Sequence, residues 1–227
     1  MNTVNSNFPH AHASRTRASI NVLIACEESQ VECIAFRAAG FTAYSCDIQR
    51  CFGKHPEWHI HGDVTPFLHG TTDFVTADGL EHHIDKWHLI IAHPPCTYLC
   101  RVSSVHMVIN GKLQQERLLK MQQAATFFRQ CLDAQADFVA VENPIPMRRA
   151  GLPRPSSYIE PWWYGHPWSK KTLYWLKNLP PLMPGCAAGR YKEFVKAHRG
   201  KYRSRSFSGV AQAMADQWGA WVEGHLP

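Results

Sequence analysis

The chain has 227 residues, 45% of them apolar and 19% charged. That balance excludes a disordered chain, and the length excludes a small module stapled by disulfides. The net charge of +6 is unevenly placed: between positions 145 and 205 thirteen Lys or Arg meet two acids, so that this tract carries +11 and the rest of the chain −5.

An acidic body with a basic face suits a polyanionic partner. No run approaches the ~20 apolar residues of a membrane span, and the first eighteen residues hold no apolar signal core. The eight cysteines form no Cys-x2-Cys pair. The chain therefore reads as cytoplasmic, with reduced thiols, no structural metal and no membrane partner.

Residues 1–18 read as a disordered polar tail and residues 19–227 as one domain. Ile20–Cys26 reads as a strand, Ser29–Ala39 as a helix with Ser29 at its N-cap, and Gly40 as its stop. Thr42–Ile48 and His59–Val64 follow as strands, and after a polar stretch to Lys86 the run His88–Ala92 is the fourth. Apolar residues recur at helical spacing through Leu113–Ala134, and Phe138–Val141 is the fifth strand. This alternation predicts an α/β fold, a mostly parallel sheet with helices on both faces and ligands at the carboxyl ends of its strands.

Beyond Pro144 the pattern loosens into the basic tract, with one strand at Lys171–Leu176 and a closing helix at Gly209–Val222. Trp162, Trp163, Trp168 and Trp175 lie among its cations. Aromatics interleaved with cations suit nucleobases and phosphates, although tryptophans in a chain this size are more often core or rim packing.

Each predicted strand ends in residues able to meet a ligand. The first ends in Cys26-Glu27-Glu28-Ser29, at a helix N-terminus. The second ends at Asp47, where an acid can accept hydrogen bonds from both hydroxyls of a ribose. The third gives Gly62-Asp63. Singly, each Asp is more often a turn or cap residue; one per strand end brings the two readings level. The fourth runs into His93-Pro94-Pro95-Cys96, where two prolines present a thiol from a stiff turn, although a lone cysteine is more often a small buried hydrophobe. The fifth ends in Glu142-Asn143-Pro144, an acid able to hydrogen-bond a heterocycle held against that thiol.

These pieces, in this order, resemble the C5-cytosine DNA methyltransferase family, and within it short phage-type members without a large target-recognition domain. Pro94-Pro95-Cys96 and Glu142-Asn143-Pro144 carry the resemblance, together with ACEESQ, SCDI, GDV and GHPWSKKTLYWLKNLPPL. It covers roughly residues 21–219. It implies a Rossmann-like class I fold, S-adenosylmethionine as cofactor, cytosine-containing DNA as partner, and a bacterial or phage-infected cell as setting.

By that resemblance Cys96 attacks C6 of a flipped cytosine and Glu142 holds and protonates N3. Cys26, Glu27, Ser29, Asp47, Asp63 and Pro94 would bind the cofactor, Asp47 at its ribose and Asp63 at its adenine. Asn143, Lys170, Lys171, Arg203 and Arg205 would bind substrate. The chain departs from the family in three ways: it lacks the Phe-x-Gly-x-Gly first turn, a large recognition insertion and an evident Gln-x-Arg-x-Arg motif.

Three other readings compete. A zinc deaminase needs Pro-Cys-x2-Cys, whereas three residues separate Cys96 from Cys100. An amino-group methyltransferase puts an aromatic where this chain has Cys96. A catalytically silent nucleic-acid-binding protein would use the basic tract alone. Oligomeric state and recognition sequence are not legible.

Overall fold

The computed structural model describes residues 16–185, 192–193 and 206–226. Its elements are β1 (Asn21–Ala25), α1 (Val31–Ala38), β2 (Thr42–Asp47), β3 (His59–His61), α2 (Thr65–Leu68), β4 (Asp73–Val75), β5 (Glu81–His83), β6 (Leu89–Ala92), β7 (Val108–Ile109), β8 (Lys112–Leu113), α3 (Gln115–Leu132), β9 (Phe138–Asn143), β10 (Ser157–Ile159), β11 (Trp168–Ser169), β12 (Thr172–Lys177) and β13 (Lys192–Glu193). A C-terminal helical run follows, Ser208–Ala213 and Gly219–His225 joined by a π-helical turn at Met214–Trp218.

Seven strands form the central sheet in the order β10-β12-β9-β6-β1-β2-β3. The five strands from β9 to β3 are mutually parallel, and β12 runs antiparallel to both β9 and β10. Counted along the chain the order is 3-2-1-4-5-7-6 with strand seven reversed, the Rossmann-like arrangement of class I S-adenosylmethionine-dependent methyltransferases. A fold of this kind hosts many chemistries, so function has to be argued from the site.

Burial follows from strand alternation. Leu23, Ile90, Val139 and Val141 point to one side, where Met121, Ala125 and Phe128 of α3 pack with Trp175. Ile24, Ile91 and Ala140 point to the other, against Cys33 and Phe36 of α1 and Met214 and Trp218 of the C-terminal run. All five residues of β1 are buried. A central parallel strand has no solvent face, which is why the run from Val22 to Ala25 is apolar without alternation.

Several boundaries differ from the sequence expectation. The packed chain begins before residue 19: Arg17–Ser19 forms a 3-10 turn and Arg17 Nε donates to Glu223 at 2.9 Å. The stretch from Val64 to Lys86 is not merely polar, because β4 and β5 pair as a hairpin whose Phe74 stacks on Trp87. Three-residue strands are too short for alternation to register. Ser157–Ile159 escapes a sequence reading because prolines flank it, and prolines are tolerated at a sheet edge, where β10 lies. Glu142 and Asn143 lie within β9, paired with Tyr174 and Leu173, rather than beyond its end.

Candidate active site

At the carboxyl ends of β1, β2 and β3 the chain encloses a cavity of about 420 Å³. Cys26, Glu27, Glu28, Ser29, Asp47 and Asp63 line it, with Ile48, Val64 and Phe127 as apolar wall. The chain leaves β1 through Cys26 at φ 61°, a left-handed turn held by its N–H donating to Cys46 O at 2.7 Å.

That turn places Glu27 where a cap is needed. Its carboxylate accepts from the Glu32 N–H at 2.7 Å and the Cys33 N–H at 3.3 Å, satisfying two donors of the first turn of α1. Ser29 is not the N-cap: Gln30 occupies that position, and the Ser29 hydroxyl instead donates to Glu27 at 3.5 Å. Burial and the neighbouring Glu32 charge push the Glu27 carboxyl up to about 8, outweighing the two amide hydrogen bonds.

Asp47 and Asp63 each use one oxygen locally. Asp47 Oδ1 accepts from the Gln49 N–H at 2.8 Å, and Asp63 Oδ1 accepts from the Thr65 N–H and hydroxyl at 2.9 and 2.8 Å. Glu28 differs, since its Oε2 is buried and has no hydrogen-bond partner among the described residues. The loop after β2 is pinned from behind, where the Gln30 amide donates to His55 O at 2.9 Å and Gly53 passes so near that a Cβ there would meet Gln30 Cβ at 2.5 Å.

The turn after β6 brings Cys96 to the same cavity. Pro94 is buried, and its carbonyl lies 3.5 Å from the Asn143 amide, so β9 braces the turn. The Leu99 and Cys100 N–H groups close it by donating to Cys96 O at 3.0 and 2.9 Å. Cys96 is exposed and Cys100 partly so. The two thiols titrate together: the neighbouring Cys96 lowers Cys100 to about 5, and Cys100, burial and the Glu142 charge raise Cys96. The pair gives up its first proton readily and keeps the second.

Behind the turn lies a smaller cavity of about 30 Å³ lined by Glu32, His93, Glu142, Lys170, Tyr174 and Ser206. That is room for a water rather than a pyrimidine. His93 sits between two carboxylates, its Nε2 at 2.6 Å from Glu32 Oε2 and its Nδ1 at 3.4 Å from Glu142 Oε2. The Ser206 hydroxyl donates to the other Glu32 oxygen at 2.7 Å. Burial pushes the His93 imidazole down, but the charges and hydrogen bonds of Glu32 and Glu142 outweigh it and hold the ring well above its ordinary value. Burial likewise pushes Glu142 up, and the His93 contact with the Lys170 charge brings it below the usual carboxylate range.

His93 and Ser206 line both cavities, so the small one opens onto the large one at the Cys96 turn. Of the residues singled out in the sequence, Cys26, Glu27, Ser29, Asp47, Asp63 and Cys96 share the large cavity, and Glu142 and Lys170 share the small one. Pro94 and Asn143 stand behind the wall as braces, with Pro95 on the cavity side. Lys171 stacks over the Tyr158 ring at 3.9 Å, outside both cavities. Arg203 and Arg205 lie outside the described residues.

Sequence reasoning placed Glu28 and His93 at strand ends without giving them a role, and missed Glu32 and Ser206. Glu32 carried a signal, an acid on the face of α1 that otherwise buries Cys33, Ala35 and Phe36. Among the described residues no group of three or more His, Cys, Asp or Glu could hold a metal ion, and no helix is long and apolar enough to cross a membrane.

No protein-family model and no curated protein matches this chain. Among solved structures it is similar to an E. coli prophage protein described as a DNA modification methyltransferase, at 17% identity and a TM-score of 0.40, over 69% of this chain and 46% of that one. It is also similar to the Dnmt2 methyltransferase of S. pombe, at 14% identity and a TM-score of 0.38, over 69% of this chain and 48% of the other. The chain thus spans about half the length of either, and likenesses this distant leave the site itself to carry any argument about function.

Proposed function

We propose that this chain is an S-adenosylmethionine-dependent DNA methyltransferase that acts at C5 of cytosine through Cys96. One observation carries the reading: a thiol on a proline-stiffened turn shares a cavity of about 420 Å³ with strand-end acids at Asp47 and Asp63. Cavities of roughly 300–1,000 Å³ suit a ligand of cofactor size.

The donor set fits S-adenosylmethionine. Asp47 and Asp63 would accept from ribose hydroxyls and the adenine amine, against the apolar contacts of Ile48 and Val64. The unpartnered Glu28 oxygen would take the α-ammonium, a role the missing glycine turn leaves open. When bound, the cofactor supplies an electrophilic methyl group.

Cys96 forms a bond to C6 of the cytosine, and electron density moves to C5 and N3. The sulfur must first lose its proton, and the one proton that the Cys96–Cys100 pair gives up readily leaves a thiolate on this turn. Glu142 faces N3 of the bound ring and neutralises the charge that builds there. Because the small cavity holds about one water, the ring enters only if Lys170 or Ser206 moves aside. The basic tract, in which Lys170 and Lys171 lie, would hold the phosphates, with affinity falling as salt rises.

DNA carrying 5-fluorocytosine tests the reading, because fluorine at C5 prevents release of the sulfur. Incubation with methyl-labelled S-adenosylmethionine should trap a labelled covalent complex through Cys96. Label transfer without a trapped complex favours amino-group methylation. DNA binding with no transfer at all favours the silent binding protein.

A further inference from the structure

The proposed chemistry asks Glu142 to deliver a proton to N3, yet His93 and Lys170 keep that carboxyl ionised at neutral pH. An ionised carboxylate has no proton to give, so another group must supply it. The geometry behind Glu142 is specific. His93 Nδ1 lies 3.4 Å from Glu142, its Nε2 lies 2.6 Å from Glu32, and Ser206 fixes the far oxygen of Glu32 at 2.7 Å. Glu32 is 1% exposed on the packed face of α1, where a carboxylate has no packing role and is tolerated only beside a cation.

We infer that His93, clamped between Glu32 and Glu142, is the proton reservoir of the site: a positioning residue that charges Glu142 from behind while Glu142 alone touches the base. Its activity arm rests on the cytosine reading; its charge state does not. In the step, the Nδ1 proton passes first to the Glu142 carboxylate, and Glu142 then hands that proton on to N3. The imidazole is left neutral, with its Nε2–H on Glu32, and the cytosine adduct carries no net charge. When C5 loses its proton and the sulfur departs, N3 returns its proton along the same two groups.

The groups facing His93 all favour a loaded ring except burial itself. Glu32 comes from α1 and Glu142 from β9; Glu27, on the turn before α1, is near enough for its carboxyl to be lowered by His93. Lys170 acts on Glu142 from the opposite side. Tyr174 stays protonated, because burial and the same two carboxylates push its phenol well above the ordinary value.

Nitrogen NMR of ¹⁵N-histidine-labelled full-length protein, without DNA, reads the ring directly. The His93 signals should report both ring nitrogens protonated at pH 7, with a midpoint that falls by about one unit or more in Glu32→Gln and in Glu142→Gln. Two variants on separate elements guard against one failing to fold. A neutral His93 at pH 7, or a midpoint that neither variant moves, overturns the inference.

The second arm follows trapping of 5-fluorocytosine DNA against pH. Trapping should decline on the alkaline side with the His93 midpoint seen by NMR, and Glu32→Gln should shift that decline downward by the same amount. Cofactor affinity by calorimetry should stay within about twofold, since Glu32 lies outside the large cavity. An alkaline limb that Glu32→Gln leaves unmoved overturns the inference. Absence of any trapping in the wild-type protein overturns the cytosine reading instead, and the NMR arm still decides the charge on His93.

Discussion

The two cavities that meet at the Cys96 turn are built on opposite plans. The large one is assembled from turns, its two aspartates held by hydrogen bonds to their own loops, Asp47 to Gln49 and Asp63 to Thr65. The small one is assembled from charges brought together over long stretches of sequence, His93 with Glu142 and Glu32 with Ser206. A wall made of local turns tolerates loss of one member, because its neighbours are held independently. A closed array of buried charges does not, because removing one member leaves another charge unpaired.

Substitutions at four positions would break or sharpen that contrast. The largest effect belongs to the thiol on the wall of the large cavity: Cys96→Ser should abolish the trapped 5-fluorocytosine complex and lower methyl transfer by about 10³-fold or more, while cofactor affinity by calorimetry holds. Glu142→Gln, in the charged array, should lower transfer by about 10²- to 10⁴-fold with a similarly unchanged cofactor affinity. If it weakened cofactor binding instead, the two cavities would not be functionally separate.

Asp47→Ala, in the turn-built wall, should do the reverse. Loss of hydrogen bonds to a charged acceptor should weaken cofactor binding by about 10- to 100-fold and leave melting temperature nearly unchanged. Glu27 gives the smallest effect. Its carboxyl ionises at about 8 in the folded chain against an ordinary 4.5, so the folded state holds an extra proton between those values, and stability falls as pH rises through that window. His93, also raised, adds to the fall above its ordinary 6.5. Melting temperature measured from pH 5 to pH 9 should therefore decline less steeply in Glu27→Gln than in the wild-type protein. Glu27→Ala, which removes the cap of α1, should cost about 1 kcal/mol near pH 5 and less as pH rises toward 9, because the wild-type carboxyl loses its advantage on ionising.

The same contrast explains what could be read from the amino acids alone. The parallel sheet and the gathering of strand ends were legible because such a sheet delivers each strand's last residues to one edge, so Asp47, Asp63 and Cys96 announce themselves by position. The capping of α1 was not, since Ser29 is a good N-cap by type and only the left-handed turn at Cys26 brings Glu27 there instead. The charged array was least legible. Ser206 lies 174 residues from Glu32, and nothing in the spacing of a helix, a turn and a distant segment says that they meet. Asn143 shows the opposite failure: its position beside Glu142 suggested a substrate contact, whereas its amide faces Pro94 from beneath.

The reversed direction of β12 has a further effect. Because that strand runs against its neighbours, the chain must enter it from the carboxyl edge of the sheet, and Lys170 and Lys171 stand at that entrance. The segment between β10 and β12 accordingly begins and ends on the reactive side of the molecule. Lengthening it would enlarge whatever surface meets the target without adding a strand or altering a register, so new preferences for a target could arise there while the scaffold stays as it is.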